Sequence, residues 1–248
     1  MVIRRELLLN KIISRKGNGM VKVITGMRRS GKSFLLFNLF HDHLLSLGVD
    51  ERHIIKVDLE DRHNMPLRNP DALMAYIDSR LADDKMHYIL LDEVQFVSEF
   101  EDVLNSYLKV PNADVYVTGS NAKFLSKDVI TEFRGRGDEV KVSPLSFREF
   151  LSVREGDREG LLNEYMTYGG LPQVVLMQDA AQKTEYLGSL FAHTYMRDIK
   201  ERHGINKDGD LEELITLIAS NIGCLTNPAK LENCFRSVKK SSITQDTI

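Results

Sequence analysis

The chain has 248 residues, of which 42% are hydrophobic and 28% are charged, values that suit one full α/β domain and a small second one. No run of about 18 apolar residues occurs and the apolar part of the N-terminus is short, so we expect neither a transmembrane helix nor export. The net charge is −3, but residues 1–40 carry nine Lys or Arg and a single acid, a basic start that suits phosphates of a nucleotide or of nucleic acid without distinguishing them.

Apolar periodicity predicts alternating helices and strands up to residue 120. Helices are expected over residues 4–15, 33–48, 69–82 and 99–110, and strands over residues 20–26, 53–60, 87–94 and 113–120. Four strands separated by helices favour an α/β fold, with a parallel sheet flanked by helices and right-handed crossovers.

Beyond Pro144 the pattern becomes entirely helical, with breaks predicted at residues 169–172 and 203–210. Two cysteines, Cys224 and Cys234, fit neither a disulfide framework nor a zinc-binding spacing. A reduced, cytoplasmic protein is therefore expected.

A phosphate-binding pattern lies between the first predicted strand and the following helix. Gly26, Gly31, Lys32 and Ser33 fit G-x-x-x-x-G-K-[ST], in which the glycines turn backbone N–H groups toward a phosphate. The lysine would reach the β- and γ-phosphates and the serine hydroxyl would bind Mg²⁺; the alternative is a coincidental turn. The predicted nucleotide-binding residues are Gly26, Met27, Arg28, Arg29, Ser30, Gly31, Lys32, Ser33 and Phe34.

Two arginines inside this loop, Arg28 and Arg29, occupy positions that need no particular side chain. They could add positive field for a triphosphate, pair with Glu93 or Asp61, contact a partner, or be solvated.

Two acids follow the apolar run of the third strand. Asp92 would hold the Mg²⁺ shell and Glu93 would orient and deprotonate an attacking water; a helix cap or plain surface is the alternative. Ser120 and Asn121 end the fourth strand, where a polar residue would sense the γ-phosphate, although this composition is also common in turns.

A Gly-rich stretch after the fourth strand contains Arg134 and Arg136. Either could be an arginine finger, supplied within the chain or by a neighbour, that neutralises charge on the transferring phosphoryl group. The alternative is a solvated basic loop paired with Asp138 and Glu139.

Five sequence blocks together resemble the bacterial and archaeal AAA-type ATPases of the AAA-14/DUF4143 group. In order they are VITGMRRSGKS, ILLDEVQ, VTGSNAKFLS, GRGDEVKVSPLSFREFL and YGGLPQVV, and the resemblance covers about residues 1–200. It implies an AAA-like P-loop ATPase core at residues 1–150, a helical lid at 151–205 and the start of a winged-helix, DUF4143-like segment at 206–248.

The resemblance also implies ATP as the nucleotide and assigns roles to single residues. Lys32 and Ser33 match its nucleotide-binding positions, and Asp92 and Glu93 its metal and base positions. Ser120, with Asn121 beside it, matches the sensor, and Arg136 matches the Arg of the family's GR block, whereas Arg134 has no counterpart.

The C-terminal segment departs from this pattern, because no wing strands and no nuclease-like carboxylate cluster follow residue 211. A C-terminally truncated chain is therefore expected, in which an apolar face of the last helices is left uncovered and either dimerisation or a disordered tail results. Arg236, Lys239 and Lys240 could contact DNA phosphates, but such residues are more often a solvated face.

Three functions fit these observations. The first is Mg-dependent ATP hydrolysis that drives a conformational switch; the second is a P-loop kinase for a small molecule; the third is a binding module in which nucleotide regulates assembly or DNA contact without turnover. The acid pair favours the first, because hydrolysis needs a positioned water.

Overall fold

The computed structural model describes residues 2–119, 135–196, 199–200, 208–225 and 227–234. Its strands form one parallel sheet in the order β2-β3-β4-β1-β5. The strands are Val21–Thr25 (β1), Ile54–Asp58 (β2), His87–Asp92 (β3), Ala113–Gly119 (β4) and Gly137–Lys141 (β5). The parallel sheet with flanking helices confirms the predicted α/β, P-loop NTPase type of fold.

The helices up to β4 lie close to their predicted places. They are Glu6–Ile13, a continuous helix over residues 32–46 with a π-helical middle at Leu35–Phe40, Pro70–Asp78 and Phe100–Tyr107. Short 3₁₀ helices are Glu51–His53, Arg62–Arg68 and Val94–Phe96. After the sheet come Phe147–Leu151, Arg158–Tyr168, Pro172–Leu176, Ala180–Leu190 with the π-helical Phe191–Tyr195, Asp208–Ser220 and Pro228–Cys234.

The fifth strand, Gly137–Lys141, is an element that the sequence pattern did not predict. Its sequence is GDEVK, and Val140 is its single buried residue. An edge strand with one apolar side chain lacks the alternation on which a prediction depends. Its pairing with β1 is nevertheless complete, from Val21 opposite Gly137 to Thr25 opposite Lys141.

The core lies on both faces of the sheet because successive strand residues point to opposite sides. Val21 and Val23 of β1 pack on one face with Leu104 of the helix Phe100–Tyr107. Ile24 packs on the other face with Phe40 of the helix 32–46. β1 is therefore packed on both faces, which supports the loop that follows its end at Thr25.

The chain divides into two compact units, Met1–Lys183 and Thr184–Ile248. The predicted boundaries at residues 150 and 205 stay predictions. Arg236, Lys239 and Lys240, the predicted DNA-contacting residues, lie outside the described residues. Within the described ranges, no helix has the length and apolar character needed to cross a membrane.

Candidate nucleotide-binding site

Two glycines give the loop after β1 its shape. Gly26 has φ +146°, and a Cβ at this position would lie 2.1 Å from the carbonyl oxygen of Val142, so a side chain does not fit there. Gly31 has φ +95°, a left-handed conformation, and directly precedes the helix that begins at Lys32. The loop can therefore present backbone N–H groups and a helix N-terminus to the same anion.

Lys32 connects the loop to the acid pair. It is buried, its Nζ donates to the carbonyl of Met27 at 3.2 Å, and it lies 3.8 Å from Oε1 of Glu93. Burial lowers the pKa of Lys32, while the carboxylates of Glu93 and Asp92 oppose that shift and Arg28 adds to it. The predicted phosphate lysine and the predicted base thus share one small space.

Thr118 joins the two acids at the carboxyl edge of the sheet. Its Oγ1 donates to Oδ1 of Asp92 at 2.5 Å and accepts from the backbone N–H of Glu93 at 3.0 Å. Its strand, β4, lies between β3, which ends at the acids, and β1, which leads into the loop. The hydroxyl is therefore placed between both motifs by the strand order.

The carboxyl group of Asp92 is buried, and its pKa is shifted. Burial raises its pKa to about 6 although hydrogen bonds from Thr118 and Ser33 act in the opposite direction, and Glu93 and Asp58 raise it further. A buried acid whose pKa is strongly shifted by its surroundings is a candidate functional group. The bond between Ser33 and Asp92 places the two predicted Mg²⁺ ligands together.

Glu93 has a strained backbone, with φ 51° and ψ 50° in the left-handed region. Its Oε2 accepts a hydrogen bond from Nε2 of Gln95, and its side chain is buried. Strain of this kind is maintained by surrounding structure and clusters at functional sites. Arg29 in the loop shares the left-handed conformation, with φ 66°.

The remaining loop residues differ in exposure. Arg28 is half-buried and close enough to Lys32 to lower its pKa, whereas Arg29 is exposed. Met27 and Phe34 are exposed large apolar residues at the two ends of the loop. The four interpretations of Arg28 and Arg29 therefore stay predictions.

Ser30 is the loop residue with an unexplained polar group. It is fully buried, and its Oγ has no hydrogen-bond partner among the described residues. Buried hydroxyls normally have a partner, so this atom is a natural contact for a ligand or a water.

Arg5 supports the loop from behind and was not predicted. Its Nη1 donates to the carbonyl of Ser30 at 2.9 Å, Nη2 to the carbonyl of Ser143 at 2.9 Å, and Nε to Oε1 of Glu149 at 3.1 Å. Glu149 is fixed in turn by a capping box with Ser146. No sequence signal reveals this role, because an Arg in a basic N-terminal segment looks like a solvated charge.

The structure does not bring Arg136 to the site. Its carbonyl accepts from the N–H of Val21, at the start of β1, whereas the phosphate loop follows the end of that strand at Thr25. A strand of this length spans about 13 Å, so a finger from the same chain would have to act across the whole sheet. The structure thus gives no support to a finger from the same chain, while supply from a second copy and the solvated basic loop both stay predictions.

Three other predicted residues, Ser120, Asn121 and Arg134, lie outside the described residues, and their roles stay predictions. Thr118, two residues before Ser120, is the residue that the sequence argument missed at this strand end.

Comparison with known proteins supports the same type of domain. A family model described as an AAA domain (AAA_14) matches residues 18–151, and a second, described as a domain of unknown function (DUF8612), matches residues 159–247. The C-terminal match is thus to DUF8612, where the resemblance implied DUF4143.

Two curated relatives cover most of this chain. An uncharacterized protein of Haemophilus influenzae is 34% identical over 242 residues, which are 95% of this chain and 60% of that protein. The uncharacterized protein MJ1544 of Methanocaldococcus jannaschii is 28% identical over 89% of this chain and 51% of its own length. The chain therefore spans between half and two thirds of the length of these relatives.

Solved structures give distant similarities of fold. Domain III of the Thermotoga maritima replication initiation protein DnaA has a TM-score of 0.45 at 14% identity, covering 84% of this chain and 89% of that one. Caenorhabditis elegans PCH-2 has a TM-score of 0.45 at 17% identity, covering 61% and 47%. The AAA-domain model matches more than half of the sequence, and the chain belongs to the AAA_14 family of AAA domains.

Proposed function

We propose that this chain binds ATP with Mg²⁺ on the loop at residues 26–34 and hydrolyses it. The observation that carries the proposal is the joining of the two motifs: Lys32 lies 3.8 Å from Glu93, and Ser33 hydrogen-bonds Asp92. Loop and acids come from different strands, so their meeting is a property of the fold.

The residues present fit a magnesium nucleotide. Ser33 and Asp92 supply the oxygen atoms that Mg²⁺ prefers, and the ion would neutralise charge on the β- and γ-phosphates. Gly26 lets the loop pack directly against the carbonyl of Val142, where a side chain would clash, and the buried Oγ of Ser30 is a hydroxyl in need of a partner. Lys32 would exchange its bond to the carbonyl of Met27 for phosphate oxygens.

Glu93 is the proposed base. Its carboxylate would accept a proton from a water whose oxygen forms a bond to the γ-phosphorus while the bond from that phosphorus to the β-γ bridging oxygen breaks. Gln95 and the Thr118 hydroxyl fix the side chain and the backbone of this residue, respectively. Such orientation is what a base needs to act on one particular water.

The proposed turnover would drive a conformational switch. Arg5 links the loop carbonyl of Ser30 to Glu149 of the helix Phe147–Leu151, so a change in the loop is transmitted through a buried guanidinium. A second copy that supplies Arg136, and DNA contact through residues 206–248, are further parts of this proposal.

The test uses the full chain and three variants. Phosphate release and nucleotide affinity are measured with Mg-ATP for the wild type, Lys32→Ala, Glu93→Gln and Glu99→Gln. Glu99 is the matched control, because it also has a left-handed backbone, with φ 54°, in the connection after β3, but is exposed. We expect Lys32→Ala to lose binding and Glu93→Gln to bind while turning over about 10²- to 10⁴-fold more slowly. Glu99→Gln should match the wild type.

The other outcomes decide between the alternatives. Phosphate transfer to an added small acceptor, without release in its absence, would indicate a kinase. Binding of ATP without turnover by the wild type would leave a nucleotide-regulated binding module. If Glu93→Gln hydrolyses ATP at the wild-type rate, Glu93 is not the base.

A further inference from the structure

A cluster of two histidines and an aspartate lies at the amino-terminal edge of the sheet, at the end opposite the phosphate loop. His53 directly precedes β2 and His87 begins β3, and the pairing of Ile54 with Tyr88 places the two histidines side by side. Their rings are 4.8 Å apart, edge to face. Nε2 of His53 is 3.0 Å from Oδ2 of Asp83, and one ligand atom from each of the three residues lies within 4.8 Å of the others.

The hydrogen bonding of His87 leaves one ring nitrogen, Nε2, able to bind a metal ion. Its Nδ1 lies 2.7 Å from the carbonyl oxygen of Lys85, which can only accept, so Nδ1 carries the hydrogen. In the neutral ring Nε2 then has a free lone pair. The ring is completely buried, and its Nε2 has no hydrogen-bond partner among the described residues. A histidine whose Nδ1–H donates to a backbone carbonyl is the usual arrangement of a metal ligand.

The segment that carries Asp83 is fixed in place. Asn112 donates from Nδ2 to the carbonyl of Asp83 at 2.8 Å, and the N–H of His87 donates to the carbonyl of Asn112 at 2.8 Å. The N–H of Lys85 donates to Oδ1 of Asp83 at 2.9 Å, which leaves Oδ2 to face His53. Three potential ligands are thus held together by the backbone of two strands and one loop.

We propose that His53, Asp83 and His87 bind a transition-metal cation of the Zn²⁺ type, with water as its fourth ligand. Two imidazoles and a carboxylate suit Zn²⁺, whereas Mg²⁺ and Ca²⁺ take oxygen ligands. Tetrahedral bonds of about 2.0–2.2 Å require ligand atoms about 3.4 Å apart, so the cluster contracts by roughly an ångström on binding. Asp83 is partly exposed, which gives the ion a path of entry.

This site is independent of the proposed nucleotide chemistry, because it lies at the other end of the strands. Its ion would tie the start of β2 to β3 and stabilise the folded chain by an amount that grows with the logarithm of the free metal concentration. A simple hydrogen-bonded pair would explain the contact between His53 and Asp83 without a metal, but it leaves the lone pair on Nε2 of His87 unexplained.

The experiment is a titration of the full, tag-free chain with Co²⁺ after removal of metal by a chelator. We expect one equivalent to bind with the visible d–d absorption of a tetrahedral site, to be displaced by Zn²⁺ but not by excess Mg²⁺, and to raise the melting temperature. Asp83→Asn and His87→Gln should each weaken binding about 100-fold or more. His63→Gln is the control, because His63 bonds Asp61 as His53 bonds Asp83 but is highly exposed; it should bind like the wild type.

Several results would overturn the assignment. One is failure of the folded wild-type chain to take up Co²⁺, which is expected if a buried water satisfies His87. Another is binding by Asp83→Asn that equals that of the wild type. A third is a thiolate charge-transfer band, which would indicate that the exposed Cys224 captures the ion. If His87→Gln does not fold, Asp83→Asn decides alone, because that side chain lies in a partly exposed loop. Loss of ATP turnover through Lys32→Ala would not affect this titration, so the two proposals fail separately.

Discussion

Replacing Thr118 by valine tests the link between the two acids. The substitution keeps the size of the side chain but removes the hydroxyl that donates to Asp92 and accepts from the N–H of Glu93. All three residues are buried, so two polar groups lose a partner that water cannot replace. A buried group left unsatisfied costs about 1–3 kcal/mol, so the free energy of unfolding should fall by about 2–4 kcal/mol.

The same change should affect the chemistry. The Thr118 hydroxyl is one of the bonds that hold down the pKa of Asp92, which burial already raises to about 6, so its loss should raise that pKa further and weaken Mg²⁺ binding. Glu93 would lose the anchor of its strained backbone, and we expect turnover to fall roughly 10- to 100-fold. Urea unfolding followed by circular dichroism and steady-state phosphate release measure the two effects.

Thr118→Ser is the matched control, because it keeps the hydroxyl and removes only a methyl group. It should unfold within about 1 kcal/mol of the wild type and retain most of the turnover. Wild-type stability and turnover in Thr118→Val would refute the bridging role. Reduced stability with normal turnover would limit the hydroxyl to a structural role.

Two further predictions concern the support of the loop. Gly26→Ala places a Cβ 2.1 Å from the carbonyl oxygen of Val142 at a φ of +146°, so it should abolish nucleotide binding and lower the free energy of unfolding in urea by about 2–4 kcal/mol. Gly188→Ala is the control and should not destabilise the chain, because the space around Gly188 is open. Normal nucleotide binding by Gly26→Ala would contradict the need for glycine where the loop approaches Val142. For Glu149, partial burial raises the pKa, but hydrogen bonds from the Ser146 backbone and side chain and from Arg5 outweigh it, so the pKa lies below its ordinary value of 4.5. Its ionised form therefore stabilises the fold above pH 4.5, and this contribution disappears as the pH falls through the pKa of the folded state. Glu149→Gln should accordingly be less stable than the wild type near neutral pH and equally stable in acid. A difference in unfolding midpoint that does not change with pH would count against the ion pair.

The elements with strong periodicity were readable in advance. The strand ending at Asp92 has a continuous apolar run, and Pro70 begins a helix as expected, capped by Asn69. These features depend on residues close together in the chain, which is why a single sequence reveals them. The strand Gly137–Lys141 was missed because its pairing partner, not its own composition, makes it a strand.

The candidate site divides in the same way. The sequence alone determined the loop with Lys32 and Ser33 and the acid pair Asp92 and Glu93, because each motif is a short run with a fixed local spacing. Only the tertiary structure decided the rest.

Strand order set the position of Thr118 between the acids and the phosphate loop. The parallel pairing of β5 with β1 placed Arg136 at the edge of the sheet opposite that loop. The packing of distant segments made the buried Arg5 a support for the loop, and register brought His53 beside His87. Contacts between distant segments depend on how strands pair and which side chains lose water, and neither is encoded in a local pattern.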